Sequence, residues 1–212
     1  MKVSAIIPAH NEEKTISGVI EVLRKVKIVN EIIVVDDASS DNTSSIVKNY
    51  RDVKLVKLPQ NLGKGGAIMT GVKKSSGEII LLLDADLIGL KESHIYDLIL
   101  PVINGEADMT RGYFVNGRKY TDISHKIAPS ISGQRVIRRW IINSIPNLEK
   151  TRFGVEVALN HYIKKKKLKL KKVKLEGLTH LTKEEKMGFK KGIKARTKMY
   201  WDILKFFSKL KK

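Results

Sequence analysis

The sequence predicts an α/β fold, a mainly parallel sheet flanked by helices, followed by a basic amphipathic C-terminal helix. Three observations carry this expectation. Short aliphatic runs alternate with amphipathic stretches through the first 115 residues. Three of those runs, "IIPAHNEE", "IVVDDAS" and "LLLDADL", end in polar and acidic residues. Charge is also uneven: residues 161–212 hold 19 Lys/Arg against 4 Asp/Glu, a net of +15 within a chain total of +19.

The elements follow in order. "KVSAII" (2–7) has the pattern of a strand, and in "EEKTISGVIEVLRKV" (12–26) Ile16, Val19, Ile20 and Leu23 share one helical face. "EIIVV" (31–35) is a second strand, and Ser40 or Asp41 can cap the helix that follows it. "DVKLVKL" (52–58) is a third strand, and glycines open a helix at "GKGGAIMTGVKKS" (63–75). "EIILLL" is the fourth strand, with a helix over 91–103 and a fifth strand at "DMTRGYF" (108–114). Beyond residue 115 the pattern loosens. There "SGQRVIRRWIINSI" (132–145) and "RFGVEVALNHYIKK" (152–165) read as helices and "KLKLKKVKL" (167–175) as an edge strand with lysines on its wet face. From Lys183 the chain reads as one long helix.

Composition narrows the function classes. At 212 residues and 42% apolar content, one domain with a substantial core plus an appendage is expected. The absence of cysteine excludes disulfides, thiolate zinc sites and a cysteine nucleophile. The first apolar run is too short for a signal peptide, and nothing approaches the roughly 20 apolar residues of a membrane span. A cytoplasmic protein is expected.

The chemistry is expected outside the carboxyl ends of the strands. Asp84 and Asp86, two apart at the end of five aliphatic residues, can both face one crevice. Two close carboxylates repel unless a cation bridges them, and hard oxygen donors suit Mg²⁺ or Mn²⁺, which clamp a diphosphate. The alternative is that they cap the next turn. In "NLGKGGA" (61–67), glycines let backbone N–H groups approach an anion, and Lys64 adds charge. It matches neither the Walker loop nor the dinucleotide fingerprint. Glu156 lies among Phe153, Val155, Val157 and Leu159, surroundings that push a carboxyl toward the range of a general base. Gly133, Arg135, Arg138 and Arg139 in "SGQRVIRRW" offer a flexible turn and arginine forks suited to an anionic acceptor.

Taken together, "IIPAHNEE", "EIIVVDDASSDNT", "NLGKGGAIMTGVKKSSGEIILLLDADL" and "FGVEVAL" resemble, in order and spacing, the family 2 glycosyltransferases of the GT-A fold. The resemblance covers about residues 1–165. It implies a metal-dependent transfer of a sugar from a nucleotide-diphosphate donor, expected to be UDP-linked, to an acceptor that is anionic or a lipid phosphate. Pro8, His10 and Glu12 are then implied to line the base pocket, with Asp37 or Asp36 bonding the base. Lys64 and Asp84 belong to the nucleotide site, and Asp84 and Asp86 carry Mn²⁺ or Mg²⁺. His10 stands where the family more often has an aromatic residue. The order also resembles glucosyl-3-phosphoglycerate synthases, which implies His180 as third metal ligand and Lys183 and Lys186 as diphosphate contacts. Glu156 is implied near the acceptor hydroxyl or the anomeric carbon.

The expected division is a catalytic domain over 1–182, with a nucleotide-sugar half (1–115) and an acceptor half (116–182), and a basic helix over 183–212. That helix suits an anionic membrane surface at its inner face, or equally can pack on the domain. A homodimer is among the expected assemblies, and nucleic-acid binding is disfavoured for want of a recognised module. The rivals are a sugar nucleotidyltransferase, whose glycine- and arginine-bearing first loop is missing, and a non-catalytic basic binding module. A serine hydrolase is excluded by the lack of a G-x-S-x-G elbow.

Overall fold

In the computed structural model, which describes residues 1–115 and 132–181, the aliphatic runs become strands where the pattern places them. β1 (Val3–Ala9), α1 (Ile16–Lys25), β2 (Glu31–Asp36), α2 (Thr43–Lys48), β3 (Val53–Lys57), α3 (Gly63–Lys74) and β4 (Ile79–Leu82) alternate without interruption. A two-residue strand β5 (Leu87–Ile88), α4 (Glu92–Ile103) and β6 (Met109–Val115) follow. After the gap come β7 (Arg135–Arg138), α5 (Arg139–Asn143), a 3₁₀ segment (Leu148–Gly154), α6 (Val155–Lys165), β8 (Leu170–Glu176) and β9 (Thr179–His180).

Seven strands form one sheet in the order β3-β2-β1-β4-β7-β6-β8, and β5 pairs separately with β9. β1 runs parallel to both β2 and β4, while β7 is antiparallel to β4 and β6. Alternation along the central strands feeds two cores. Ala5, Ile7, Leu81 and Leu83 join Ile20, Leu23, Ile95 and Leu98 on one face. Ile6, Ile80 and Leu82 join Ile68, Val72, Ile141 and Ile163 on the other. Gly71 lets α3 lie close to the sheet: a Cβ there would come within 2.5 Å of Ile6 Cγ2.

One segment departs from its expected helix. Residues 135–138 are a strand because β4 is a central strand whose second edge needs a partner, and Val136 and Ile137 are buried on opposite faces to supply it. The helical part shrinks to α5. The edge-strand reading of β8 holds, with Val173 and Leu175 buried and Lys172 and Lys174 exposed. Residues 183–212, including the whole predicted C-terminal helix, lie outside the described residues.

Glu31 ties the amino ends of β1, β2 and β4 together. Its Oε1 accepts from Ser4 Oγ (2.6 Å), Ser76 N (2.6 Å) and Ser76 Oγ (2.8 Å). Partial burial pushes its carboxyl up, but these donors outweigh that and hold it near pKa about 2. Because the folded pKa is depressed, this stability is present above the ordinary carboxyl range and is lost as pH falls toward 2. Glu31→Ala should lower unfolding free energy by about 2 kcal/mol at neutral pH. Urea melts from pH 7 downward should also show a shallower acid loss in the variant than in the wild type.

Candidate active site

Asp84 and Asp86 leave the carboxyl end of β4, in the middle of the sheet. The β5–β9 ladder, pairing Leu87 with His180, folds the late loop back over them. His180 Nδ1 sits 2.9 Å from Asp86 Oδ1, and ligand atoms of Asp84, Asp86 and His180 lie within 4.8 Å of one another. Two carboxylates and an imidazole converging at a crevice fit a Mn²⁺ or Mg²⁺ site. The His180 ring also leans on Phe114, with centroids 4.8 Å apart.

Lys64, in the first turn of α3, reaches across this cluster. Its Nζ is 2.6 Å from Asp84 Oδ1 and 2.5 Å from Glu156 Oε1. Burial pushes the ammonium down, but the Asp84 and Glu156 carboxylates outweigh it and hold the pKa above its ordinary value. Burial likewise pushes Asp84 up, and Lys64 and His180 more than reverse it, so Asp84 stays ionised. For His180, burial disfavours the proton, yet Asp86 and then Asp84 raise its pKa above the ordinary imidazole value. Glu156 is buried in the first turn of α6, as its apolar neighbours suggested, but it is in contact with Lys64 rather than enclosed by hydrocarbon alone.

Just past the carboxyl end of β2, Asp37 organises the glycine-rich turn. Its oxygens accept from Leu62 N (2.6 Å) and Gly63 N (2.9 Å), and Gly63 adopts φ +77 to make the turn. His10 is exposed, with Nδ1 2.8 Å from Asp37 O, and Glu12 N donates to Thr43 Oγ1 at 2.8 Å. Pro8 is partly exposed near the carboxyl end of β1. Asp36 is different: it is enclosed against α2, accepting from Ser39 N and Ser44 Oγ.

The acceptor arginines separate. Arg135, at the crevice end of β7, is fully buried, donating to Ser132 O (2.7 Å) and Asn160 Oδ1 (2.7 Å). Its burial depresses the guanidinium to a pKa of about 10. Arg138 pairs with Ile79 at the opposite end of β4 and donates to Val102 O. Arg139 caps the carboxyl end of α3, bonding Val72 O, Ser75 Oγ and Gly77 O. Neither belongs to the crevice, because the four-residue strand from Arg135 to Arg138 spans about 10 Å, whereas a helical turn would have grouped them. Gly133 packs directly on the Asp84 carboxylate, where any Cβ would overlap it. Lys183 and Lys186 lie outside the described residues.

Three site residues escaped the sequence reading. Gln134 is fully buried and donates from Nε2 to Asp84 Oδ2 at 2.9 Å, its own Oε1 accepting from Ser132 Oγ. Arg111, the cross-strand partner of Arg135, donates to the same Asn160 oxygen at 3.2 Å. Asn160 was legible in principle, four residues after Glu156 on the same helical face.

A metal ion held by His180 would compete with its proton, whose pKa is raised, so affinity should still be climbing at pH values where an ordinary imidazole is already neutral. Titrations of Mn²⁺ followed by electron paramagnetic resonance should show tightening from about pH 6 to 8. His180→Ala should bind at least about tenfold more weakly and lose most of that pH dependence.

Comparisons with known proteins agree with this geometry. The family model described as glycosyl transferase family 2 matches residues 4–160. A dolichyl-phosphate beta-glucosyltransferase of Trichomonas vaginalis is 38% identical over 94 residues, 38% of this chain and 28% of that protein. An uncharacterised glycosyltransferase of Synechocystis is 31% identical over 179 residues, covering 72% of this chain and 55% of the relative. Glucosyl-3-phosphoglycerate synthase of Mycobacterium tuberculosis, crystallised with Mn²⁺, UDP-glucose and phosphoglyceric acid, superposes with a TM-score of 0.73. That likeness carries 24% identity and covers 85% of this chain and 71% of the other. The chain spans less than a third of the dolichyl-phosphate relative's length, and about half that of the Synechocystis protein. The fold, the order of the strand-end motifs and the match over most of its length place this chain in glycosyl transferase family 2.

Proposed function

We propose that the protein transfers a sugar from a nucleotide-diphosphate donor, UDP-linked, to a phosphate-bearing acceptor. The observation that carries this reading is the cluster of Asp84, Asp86 and His180, bridged by Lys64 to the buried Glu156. When bound at the first three residues, Mn²⁺ or Mg²⁺ supplies positive charge against diphosphate oxygens. Lys64 adds its ammonium on the same side, and α3 presents backbone N–H groups behind it. Asp37, with two of its lone-pair directions taken by loop amides, keeps acceptor capacity for a base N–H beside Pro8, His10 and Glu12. Lys183 and Lys186 complete the diphosphate contacts in this reading.

The acceptor side is cationic and dry. Arg111 and Arg135 are both buried, and both donate to the Asn160 carboxamide oxygen. Buried guanidinium groups in this state favour an incoming phosphate or carboxylate. Phosphoglyceric acid in the mycobacterial complex and the dolichyl phosphate of the Trichomonas enzyme's name are both of that kind, which supports the reading. Glu156 stands between the halves, touching Lys64 and lying one turn from Asn160. We assign it to receive the proton of an attacking hydroxyl; an ionised phosphate nucleophile needs no such base. The first 115 residues then serve the donor, residues 116–182 the acceptor, and the basic segment over 183–212 contacts an anionic membrane. The peripheral, cytoplasmic-side placement and a homodimer belong to the same proposal.

A donor panel with Mn²⁺ present tests it. UDP-sugars should raise the melting temperature selectively, corresponding to about 2–3 kcal/mol at a hundredfold excess over the dissociation constant. Asp86→Ala should abolish both the shift and turnover; unchanged turnover in that variant would exclude a metal-assisted reaction. In a second comparison, Glu156→Gln should cost at least about 100-fold with a hydroxyl acceptor and much less with a polyprenyl phosphate. Arg111→Ala should raise KM for either anionic acceptor while leaving donor affinity unchanged.

A further inference from the structure

Along one edge of the sheet, the chain carries a run of lysines from the end of α6 into β8. Residues 164–174 contain eight lysines and no acidic residue, and all eight are exposed. Lys171 pairs with Glu106 at 2.7 Å and Lys174 with Glu176 at 3.5 Å. Among the described residues the other six form no ion pair. Edge protection alone does not call for so many. The opposite edge strand, β3, carries only Lys54 and Lys57, and the run on this side extends through Lys164–Lys167, outside the strand. Successive lysines sit closer together than a Debye length of about 8 Å, so they act as one field.

Three large apolar side chains on nearby elements are also exposed. Trp140 on α5 is 52% exposed, Leu100 on α4 41% and Met1 62%. These residues are joined to the lysine run by short links. Arg138 lies over Met1 Sδ and bonds Val102 O, and Asp108 is shared between Arg138 and the backbone N–H of Lys169. Ile141 and Ile142 of α5 share one cluster with Ile163 and Leu168. The run starts at the end of the sheet opposite the catalytic crevice, where Leu170 is level with Met109 and Ile137, and β8 then carries Lys172 and Lys174 toward the crevice end, level with Arg111 and Tyr113.

We infer that this rim docks on an anionic lipid headgroup layer, lysines against the phosphates and Trp140 at the interface. Its charge and size match those of lysine clusters that bind anionic leaflets, and tryptophan favours the headgroup level. Nucleic acid fits less well. No aromatic residue lies within 164–176 to stack a base, and ammonium groups lack the fork that reads base edges. No helix among the described residues is long and apolar enough to cross a membrane, so attachment through this rim is peripheral. The inference does not depend on the sugar-transfer reading.

Vesicle flotation of the full chain decides it. Binding is expected to phosphatidylcholine vesicles containing phosphatidylglycerol, not to phosphatidylcholine alone, and to fall steeply with salt. The combined reversals Lys164→Glu, Lys166→Glu, Lys169→Glu and Lys172→Glu should lower partitioning more than about tenfold, with the thermal melt unchanged. Trp140→Ala should weaken the binding that remains at high salt. Absence of flotation would overturn the inference. So would binding indifferent to the four reversals, which would assign it to residues 183–212, or lysine-dependent binding of single-stranded RNA without vesicle binding.

Discussion

Three carboxylates, from Asp84, Asp86 and Glu156, converge in one crevice, and their mutual repulsion sets what the rest of the molecule must supply there. The protein answers with basic groups from three separate elements. Lys64 comes from the first turn of α3 and contacts two of the acids, His180 arrives on β9 to meet the third, and Arg135 lies buried behind them. Each is held because the alternative, a lone buried charge, costs several kcal/mol. The same arithmetic leaves the crevice poised for a divalent cation, which can take over the neutralisation of Asp84 and free Lys64 for a substrate phosphate.

The fold exists in a form that makes this convergence rigid. β4 delivers Asp84 from a strand buried on both faces, and β7 delivers Gln134 and Gly133 against the same carboxylate from the antiparallel side. The turn at Gly133 and Gln134 and the Asp84 carboxylate are therefore in direct contact.

Much of this was legible in the chain itself. Aliphatic runs ending in acids gave β1, β2 and β4 with their chemistry, and the period of the lysines gave β8. What escaped did so for definite reasons. The strand 135–138 read as helix because its Val-Ile pair is buried by a partner remote in sequence, and local pattern carries no record of that partner. Once the segment extends, Arg138 and Arg139 leave the acceptor site for backbone carbonyls at the far end of the sheet. The β5–β9 ladder is two residues long, too short for any periodicity, so the contact of His180 with Asp86 rested on resemblance alone. Gln134 and Arg111 are buried polar residues in strands, whose partners only tertiary structure reveals.

The central claim is that a divalent cation bridges Asp84, Asp86 and His180 and relieves Lys64 of Asp84. The anomalous signal of Mn²⁺ in crystals grown with UDP tests it directly. One peak is expected at bonding distance from all three residues, with Lys64 Nζ withdrawn toward the diphosphate. A peak elsewhere, or none while Lys64 still pairs with Asp84, would contradict it.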